Sequence, residues 1–348
     1  MKVGTTLSDL ALELERQQKT KRDFIAPSQE LSITSAGDAL EMEIKGHGNF
    51  GISDIAHGQL AQRLEIPAKY YDRMRREDPG LLKINANTWL HKEKENRMVR
   101  TLDGAMRAFL SSRYRPLDNY DMASAVLPIL GQNATTVESC QLTEKRLYIK
   151  AVTTKIQMEV RKGDVVQAGI VISNSEVGMG SVKVEPMIYR LVCTNGMIAA
   201  DSSLRKYHIA KNVEVDIAEE MYRDETRRVD DQAFWMKVKD VVRGSFSRDI
   251  FEKIVGRMKL ATDNPIEGNP VKVIEVFTRK FGLQDNEGGS VLSHLIKGGD
   301  LTQYGLMNAV TRTAEDIPDY DRATDFERMG GQVLELAKSD WREIALAA

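Results

Sequence analysis

The residues best suited to chemistry lie in residues 98–120, where Arg100, Arg107, Arg113 and Arg115 alternate with Phe109, Tyr114 and Tyr120. Arginines neutralise backbone phosphates, and aromatic rings stack on bases. A second group follows at Lys145, Arg146, Tyr148 and Lys150, in a stretch of strand character. On a strand, Arg146, Tyr148 and Lys150 share one face. A face carrying charge, ring and charge is a platform for a single nucleic-acid strand. Arg100, Arg107, Arg113, Tyr114, Arg115, Lys145, Arg146, Tyr148 and Lys150 are therefore the candidate nucleic-acid-binding residues. The competing expectation is structural. Arg107 and Arg113 pair with carboxylates such as Asp103, Asp118 or Asp121, because buried charge needs a partner and arginine is the usual residue for such pairs.

Residues 56–76 offer a different mode. Two short helices joined at Glu65-Ile66-Pro67, the second carrying Lys69, Tyr70, Arg73, Arg75 and Arg76, resemble a helix-turn-helix. An ordinary helical hairpin on the flank of a sheet explains the same pattern, since the turn lacks glycine.

The remaining chemistry is sparse. Cys193, expected in a strand, precedes His208 by 15 residues. A nucleophile pair needs both side chains to meet beside an oxyanion hole; a buried cysteine accounts for Cys193 more simply. His47, His57, His91, His208 and His294 lack metal-ligand spacing. Asp316, Asp319 and Asp321 lack the glycine and terminal glutamate of a calcium loop and read as a solvated interhelix loop. Gly178-Met179-Gly180 is no phosphate-binding loop, having no Lys-Ser/Thr and no following helix. No catalytic group, cofactor or metal is called for.

The elements that must position these residues follow from period and turn signals. Residues 1–24 are expected as a helix, followed by a loop around Pro27, and 31–44 as a hairpin turning at Ala36-Gly37-Asp38. Ile55, Leu60, Leu64, Ile66, Tyr70 and Met74 recur at helical spacing over 52–74, with Pro67 opening the second helix. Residues 85–90 and 97–102 read as short strands, and 119–130 as a helix. Strands dominate 136–200: 146–160, 165–173 and 182–192, then a hairpin at Asn195-Gly196 into 197–200. Helices are expected at 229–243, 247–261, 270–281, 289–312 and 322–345. This is an α+β chain: an antiparallel β-meander with flanking helices, followed by a helical C-terminal region. The expected domains are 1–50 (N-terminal helix and hairpin), 51–212 (α+β core) and 213–348 (helical and acidic).

The totals set bounds. The chain has 348 residues and a net charge of −2. Residues 66–162 hold 18 Lys+Arg against 11 Asp+Glu, whereas 211–348 hold 20 against 26. A basic middle and an acidic end give one face for an anion and another for something else, or simply two solvated surfaces. No apolar run is long enough to span a membrane, and the N-terminus lacks the apolar region of a signal peptide. Two cysteines build neither a disulfide framework nor a four-cysteine zinc site, so a reducing cytoplasm is expected.

Three segments carry a resemblance. Residues 107–119 (Arg-Ala-Phe-Leu-Ser-Ser-Arg-Tyr-Arg-Pro-Leu-Asp-Asn), 169–178 (Gly-Ile-Val-Ile-Ser-Asn-Ser-Glu-Val-Gly) and 189–197 (Tyr-Arg-Leu-Val-Cys-Thr-Asn-Gly-Met) resemble a phage- and plasmid-borne family called domain of unknown function 932. The resemblance covers about residues 50–215 and implies work on mobile DNA. A more distant likeness is to phage single-strand annealing proteins, which pack a β-meander on a helix beside a basic groove and assemble into rings. This chain departs from them in its longer sheet region and its large helical C-terminal part. The leading expectation is a non-enzymatic, single-stranded DNA-binding protein of a phage or plasmid, annealing strands as a homo-oligomer. One alternative is a protein-interaction module that inhibits or recruits a host DNA-processing enzyme, its acidic helices mimicking DNA phosphates or meeting a basic host or phage partner. Another is duplex recognition through 56–76.

Overall fold

The computed structural model describes residues 1–37, 39–132, 135–199 and 224–347. The described residues form two compact units, one of residues 11–120 with 175–180, the other of 1–10, 121–174 and 181–348.

The first unit is built on a six-stranded sheet of β1 (Arg22–Pro27), β2 (Leu31–Ala36), β3 (Ala39–Ile44), β4 (Gly48–Ile52), β5 (Asn96–Leu102) and β6 (Ala105–Ser111), in the order β1-β5-β6-β4-β3-β2. Every neighbouring pair is antiparallel except β4–β6. Three helices, α2 (Asp54–Arg63), α3 (Ala68–Glu77) and α4 (Pro79–Lys92), supply its core. Leu60, Leu64, Tyr71, Met74, Leu82 and Leu90 join one apolar cluster with Ile33, Met42, Val99, Met106 and Phe109. Each such side chain contributes roughly 1.5–3 kcal/mol when fully buried. The helices start where caps allow. Ser53 Oγ accepts the Ala56 amide (3.2 Å), and Asp78 Oδ1 accepts that of Leu81 (2.9 Å) ahead of Pro79. The free edge of β2 is clipped by α4: Asn87 Oδ1 accepts the Ile33 amide (2.7 Å) and Asn87 Nδ2 donates to the Ile33 carbonyl (3.0 Å).

The second unit holds a fully antiparallel meander of β7 (Thr135–Leu142), β8 (Leu147–Glu159), β9 (Val165–Asn174), β10 (Lys183–Arg190) and β11 (Asn195–Ile198). Its described C-terminal helices are α6 (Asp224–Ser245), α7 (Arg248–Ala261), α8 (Pro270–Phe281), α9 (Asp285–Gly298), α10 (Gln303–Thr313), α11 (Tyr320–Leu334) and α12 (Lys338–Ala345). Val166, Ile188 and Met197 of the sheet share a core with Phe251, Val255, Phe277, Val310 and Phe326 of the helices. Two further helices flank the strands in sequence: α1 (Leu7–Thr20) comes before β1, and α5 (Asn119–Gln132) lies between β6 and β7. No described helix is long and apolar enough to cross a membrane.

The architecture is α+β, with a β-meander and a helical C-terminal region, as the periodicity implied. Several local expectations differ. The helix given to 1–24 is α1 alone, and residues 22–27, expected as helix end and loop, form β1, paired with β5. Residues 85–90 are helical, within α4, because Leu82, Ala86 and Leu90 repeat every four residues behind the Asp78 cap. The turn between β10 and β11 falls at residues 191–194, so Asn195 and Gly196 pair with Arg190 and Tyr189 inside the ladder. Gly196 is there for closeness: a Cβ would meet Met187 Sδ at 3.1 Å and Met1 Sδ at 3.3 Å. The span 289–312 is two helices, since α10 starts afresh at the Thr302 cap, and 322–345 is likewise α11 and α12. The boundary at 50/51 cuts through β4, and β1 pairs with β5, so the N-terminal strands belong to one sheet with those that follow. The expected boundary at 212/213 lies outside the described residues, as do Asp38 of the first hairpin turn and Ala200 at the end of the last expected strand.

The α2–α3 turn stores strain. Glu65 holds φ at +54°, the left-handed region where a side chain costs about 1–2 kcal/mol. Glu65→Gly relieves that cost and gives back about 0.5–1 kcal/mol in chain entropy. A rise of up to about 1 kcal/mol in urea-unfolding free energy is expected; a lower unfolding midpoint would contradict it.

Candidate nucleic-acid interface

Arg100 and Arg107 sit on neighbouring strands of the first unit. Arg100 on β5 pairs with Ala108 on β6, and Thr101 pairs with Met106, so Arg107 is the extra residue of a bulge. Arg100 has no exposed surface. Its Nε donates to Asp23 (2.9 Å), Nη2 to Asp118 (2.6 Å) and Nη1 to the Glu176 carbonyl (2.9 Å). Burial works against the charge, but the two carboxylates outweigh it and hold the guanidinium above its usual pKa. Lys21 Nζ reaches the other oxygen of Asp118 (2.5 Å). Burial would raise the Asp118 pKa, but Arg100 and Lys21 bring it below the usual carboxylate value. Arg107 Nη1 donates to Glu176 Oε2 (2.6 Å), whose Oε1 accepts the Asn119 amide (2.6 Å). Tyr114 donates its hydroxyl proton to the Ser175 carbonyl (3.1 Å). Two segments that carry the resemblance, 107–119 and 169–178, thus meet through Arg107, Tyr114, Asn119, Ser175 and Glu176.

This arrangement corrects the placement of the strip. Arg107 is ion-paired in the fold, but with Glu176 rather than Asp103, Asp118 or Asp121, since the 175–180 segment lies against the bulge; Asp118 pairs instead with Arg100, together with Asp23. Arg113 is exposed, while Tyr114 and Arg115 are half-buried.

The strand platform is also corrected. Tyr148 and Lys150 on β8 are buried, and α11 supplies their partners. Lys150 Nζ donates to Glu327 (2.6 Å) and Thr324 (3.2 Å), and Tyr148 donates to Asp321 (2.7 Å). The Tyr148 and Tyr320 rings lie 5.5 Å apart. Burial lowers the Lys150 pKa against the pull of Glu327, and burial with Asp321 raises Tyr148 to about 12. The charge–ring–charge face is a polar core contact, not an open surface. Lys145 is exposed and Arg146 half-buried, just ahead of β8.

Cys193 lies half-buried in the 191–194 turn rather than in a strand. Arg190 Nη1 donates to its sulfur (3.1 Å), and Asp164 fixes that guanidinium at 2.6 and 2.8 Å. His208 lies outside the described residues. Among the described residues no three His, Cys, Asp or Glu side chains gather as metal ligands.

The helices of residues 54–92 present the open surface. The four residues between α2 and α3 make a tight turn, and His57 Nδ1 lies 2.9 Å from the Tyr71 hydroxyl, tying the two helices together. Burial, aided by Arg75, lowers the His57 imidazole to about 4. Tyr71 and Met74 anchor α3 inward, while Lys69, Tyr70, Arg73 and Arg76 face solvent. Arg73 bonds Glu77 (2.8 Å) on this exposed face, a pair worth little. On α4, Leu81, Ile84 and Trp89 are exposed, and Lys92 Nζ sits 4.7 Å over the Trp89 ring. Residues 68–92 hold six Lys+Arg and three Asp+Glu. The α4 residues escape notice when 85–90 is read as a strand; the Asp78-Pro79 start signal was the clue to them.

Two outcomes follow. Lys150→Met leaves Glu327 buried and unpaired, at an expected cost of about 3–5 kcal/mol, while Lys150→Met/Glu327→Leu recovers most of it. Equal stability of the single variant and wild type in urea would refute the pairing. For His57, the folded pKa lies below the unfolded value, so the unfolded state binds more protons between the two. Its contribution is therefore complete above pH 6.5 and falls by up to about 3 kcal/mol as pH drops toward 4. His57→Gln should flatten that fall, as read from urea midpoints at pH 7 and 4.5.

No curated protein and no solved structure matches the chain significantly. A family model described as domain of unknown function (DUF932) matches residues 108–324, more than half of the sequence, and the chain belongs to that family.

Proposed function

We propose that the protein binds nucleic acid through the outer face of α3 and α4. The observation that carries this reading is the orientation of α3. Its inward anchors leave Lys69, Tyr70, Arg73 and Arg76 together on the solvent side. Cations at that spacing suit a phosphate backbone. This surface precedes the residues matched by the family model, so the family supplies no argument for it. The interior ion pairs of Arg100, Arg107 and Lys150 shift the reading from the strands to the helices. Single-stranded DNA remains the proposed ligand, with annealing by a homo-oligomer as the role, in the phage or plasmid setting the resemblance implies. The protein acts as a binder rather than a catalyst, and its free thiols, Cys140 and Cys193, suit the cytoplasm.

A second reading rests on Leu81 and Ile84, which expose apolar surface on α4. Such surface suits a protein partner, as a module acting on a host or phage DNA-processing protein would need.

The test is fluorescence anisotropy with labelled oligonucleotides across a salt series. Lys69→Ala/Arg73→Ala/Arg76→Ala should weaken binding and flatten the salt slope by about two units, at roughly 0.7 per lost contact on a single strand. An unchanged slope would overturn the assignment to α3. Absence of binding at low salt, with a stable complex on pull-down, would favour the partner reading.

A further inference from the structure

Resting on that reading, we infer that the α3–α4 surface takes unpaired bases, one stacked on Tyr70 and another on Trp89. Both rings are large, and both are held outward: Tyr70 is 44% exposed and Trp89 45%. Neither anchors the core of its helix. That work falls to Tyr71 and Met74 on α3 and to Leu82, Ala86 and Leu90 on α4.

The rings are also prepared for a ligand. Trp89 Nε1 donates to Asn85 Oδ1 (3.1 Å), one turn back, which fixes the edge of the indole along the helix. Lys92 stands over the ring at 4.7 Å, so a cation accompanies the aromatic surface. Tyr70 has Lys69 beside it and Arg73 one turn on, on its own side of the helix. Trp89 thus has a cation at its ring, and Tyr70 shares its side of α3 with Arg73, whose exposed pair with Glu77 (2.8 Å) a phosphate can replace; a ring with a cation near it is the combination that holds a base and its phosphate. Neither platform depends on the other, since each takes one base.

Ligand class follows from this chemistry. In a duplex the bases are stacked on one another, and exposed rings find only sugar and phosphate. A single strand offers every base to a ring, with little regard for sequence. The phosphate contacts give salt dependence, and the rings give affinity that salt does not change.

The experiment separates the two claims. Full-length protein is titrated into labelled oligothymidylate, a duplex, and an abasic oligomer of the same length and charge. Stacking predicts that the abasic oligomer binds about 10-fold or more weakly than oligothymidylate. Trp89→Ala and Tyr70→Ala should each lower oligothymidylate affinity about 10-fold while leaving the salt slope unchanged. Circular dichroism checks that both variants fold, and the abasic comparison needs no variant at all. Equal, salt-sensitive binding of the abasic oligomer and oligothymidylate overturns the stacking inference and leaves the nucleic-acid reading standing. Tighter binding to duplex does the same. Failure to bind any of the three at low salt overturns both.

Discussion

Arg100 carries a positive charge with no exposed surface, and the first unit is organised around that fact. A buried guanidinium is tolerated only when its donors are matched. Here the acceptors come from places far apart in sequence: Asp23 on β1, Asp118 ahead of α5, and the carbonyl of Glu176. Asp118 is shared with Lys21, and Glu176 turns its carboxylate to Arg107 and the Asn119 amide. Three cations and three carboxylates thus close a network that fixes both chain ends of the sheet and the 175–180 segment. That segment follows the strands of the second unit in sequence, and it is held by Glu176 and Ser175 with their partners, by Gln59 Nε2 donating to the Val177 carbonyl (2.7 Å), and by Val177 packing with Met98, Ala108 and Leu110. Gly178 completes the seat. At φ +73° it takes a conformation other residues resist, and a Cβ would lie 2.7 Å from Leu110.

The same residues show what sequence alone can say. An arginine that grips phosphate and one that locks a fold need the same fork of donors, so their spacing looks alike. Burial decides between them, and burial depends on contacts such as Arg107 with Glu176, separated by 69 residues. The strand holding Tyr148 and Lys150 was legible; the helix laid on it was not, because α11 begins more than 170 positions later. Local signals fared better. The break at Glu65-Ile66-Pro67, the hairpin of β2 and β3 and the meander of β7–β11 follow from turn chemistry and period. Asn195-Gly196 misled because Gly196 is needed beside Met187 and Met1 rather than in a turn.

The two units handle buried charge differently from exposed charge. Lys150 and Glu327 give up solvation for a single geometry, and Glu327 Oε1 is left without a hydrogen-bond partner. An apolar pair would cost less, so this contact fixes how α11 lies on β8 more than how strongly it adheres. Lys69, Arg73 and Arg76 are exposed, and the surface pair of Arg73 with Glu77 (2.8 Å) is worth little. They stay hydrated, and their attraction is available to whatever anion approaches.

That contrast leads back to the helices of residues 54–92. A surface that binds must be held still, since ordering it on contact would consume affinity. α3 is held by Tyr71, which both fills the core and meets His57 across the turn, with burial keeping the imidazole neutral at ordinary pH. α4 is held by its Asp78 cap at one end and by Asn87 on the sheet edge. Between these restraints, Tyr70, Leu81, Ile84 and Trp89 break the rule that large apolar groups turn inward. Leu12 and Ile25 are exposed in the first unit too, but on α3 and α4 the outward rings lie beside cations, and such departures from local agreement are where function is expected. The rigid helices therefore present their rings because the fold has no use for them inside.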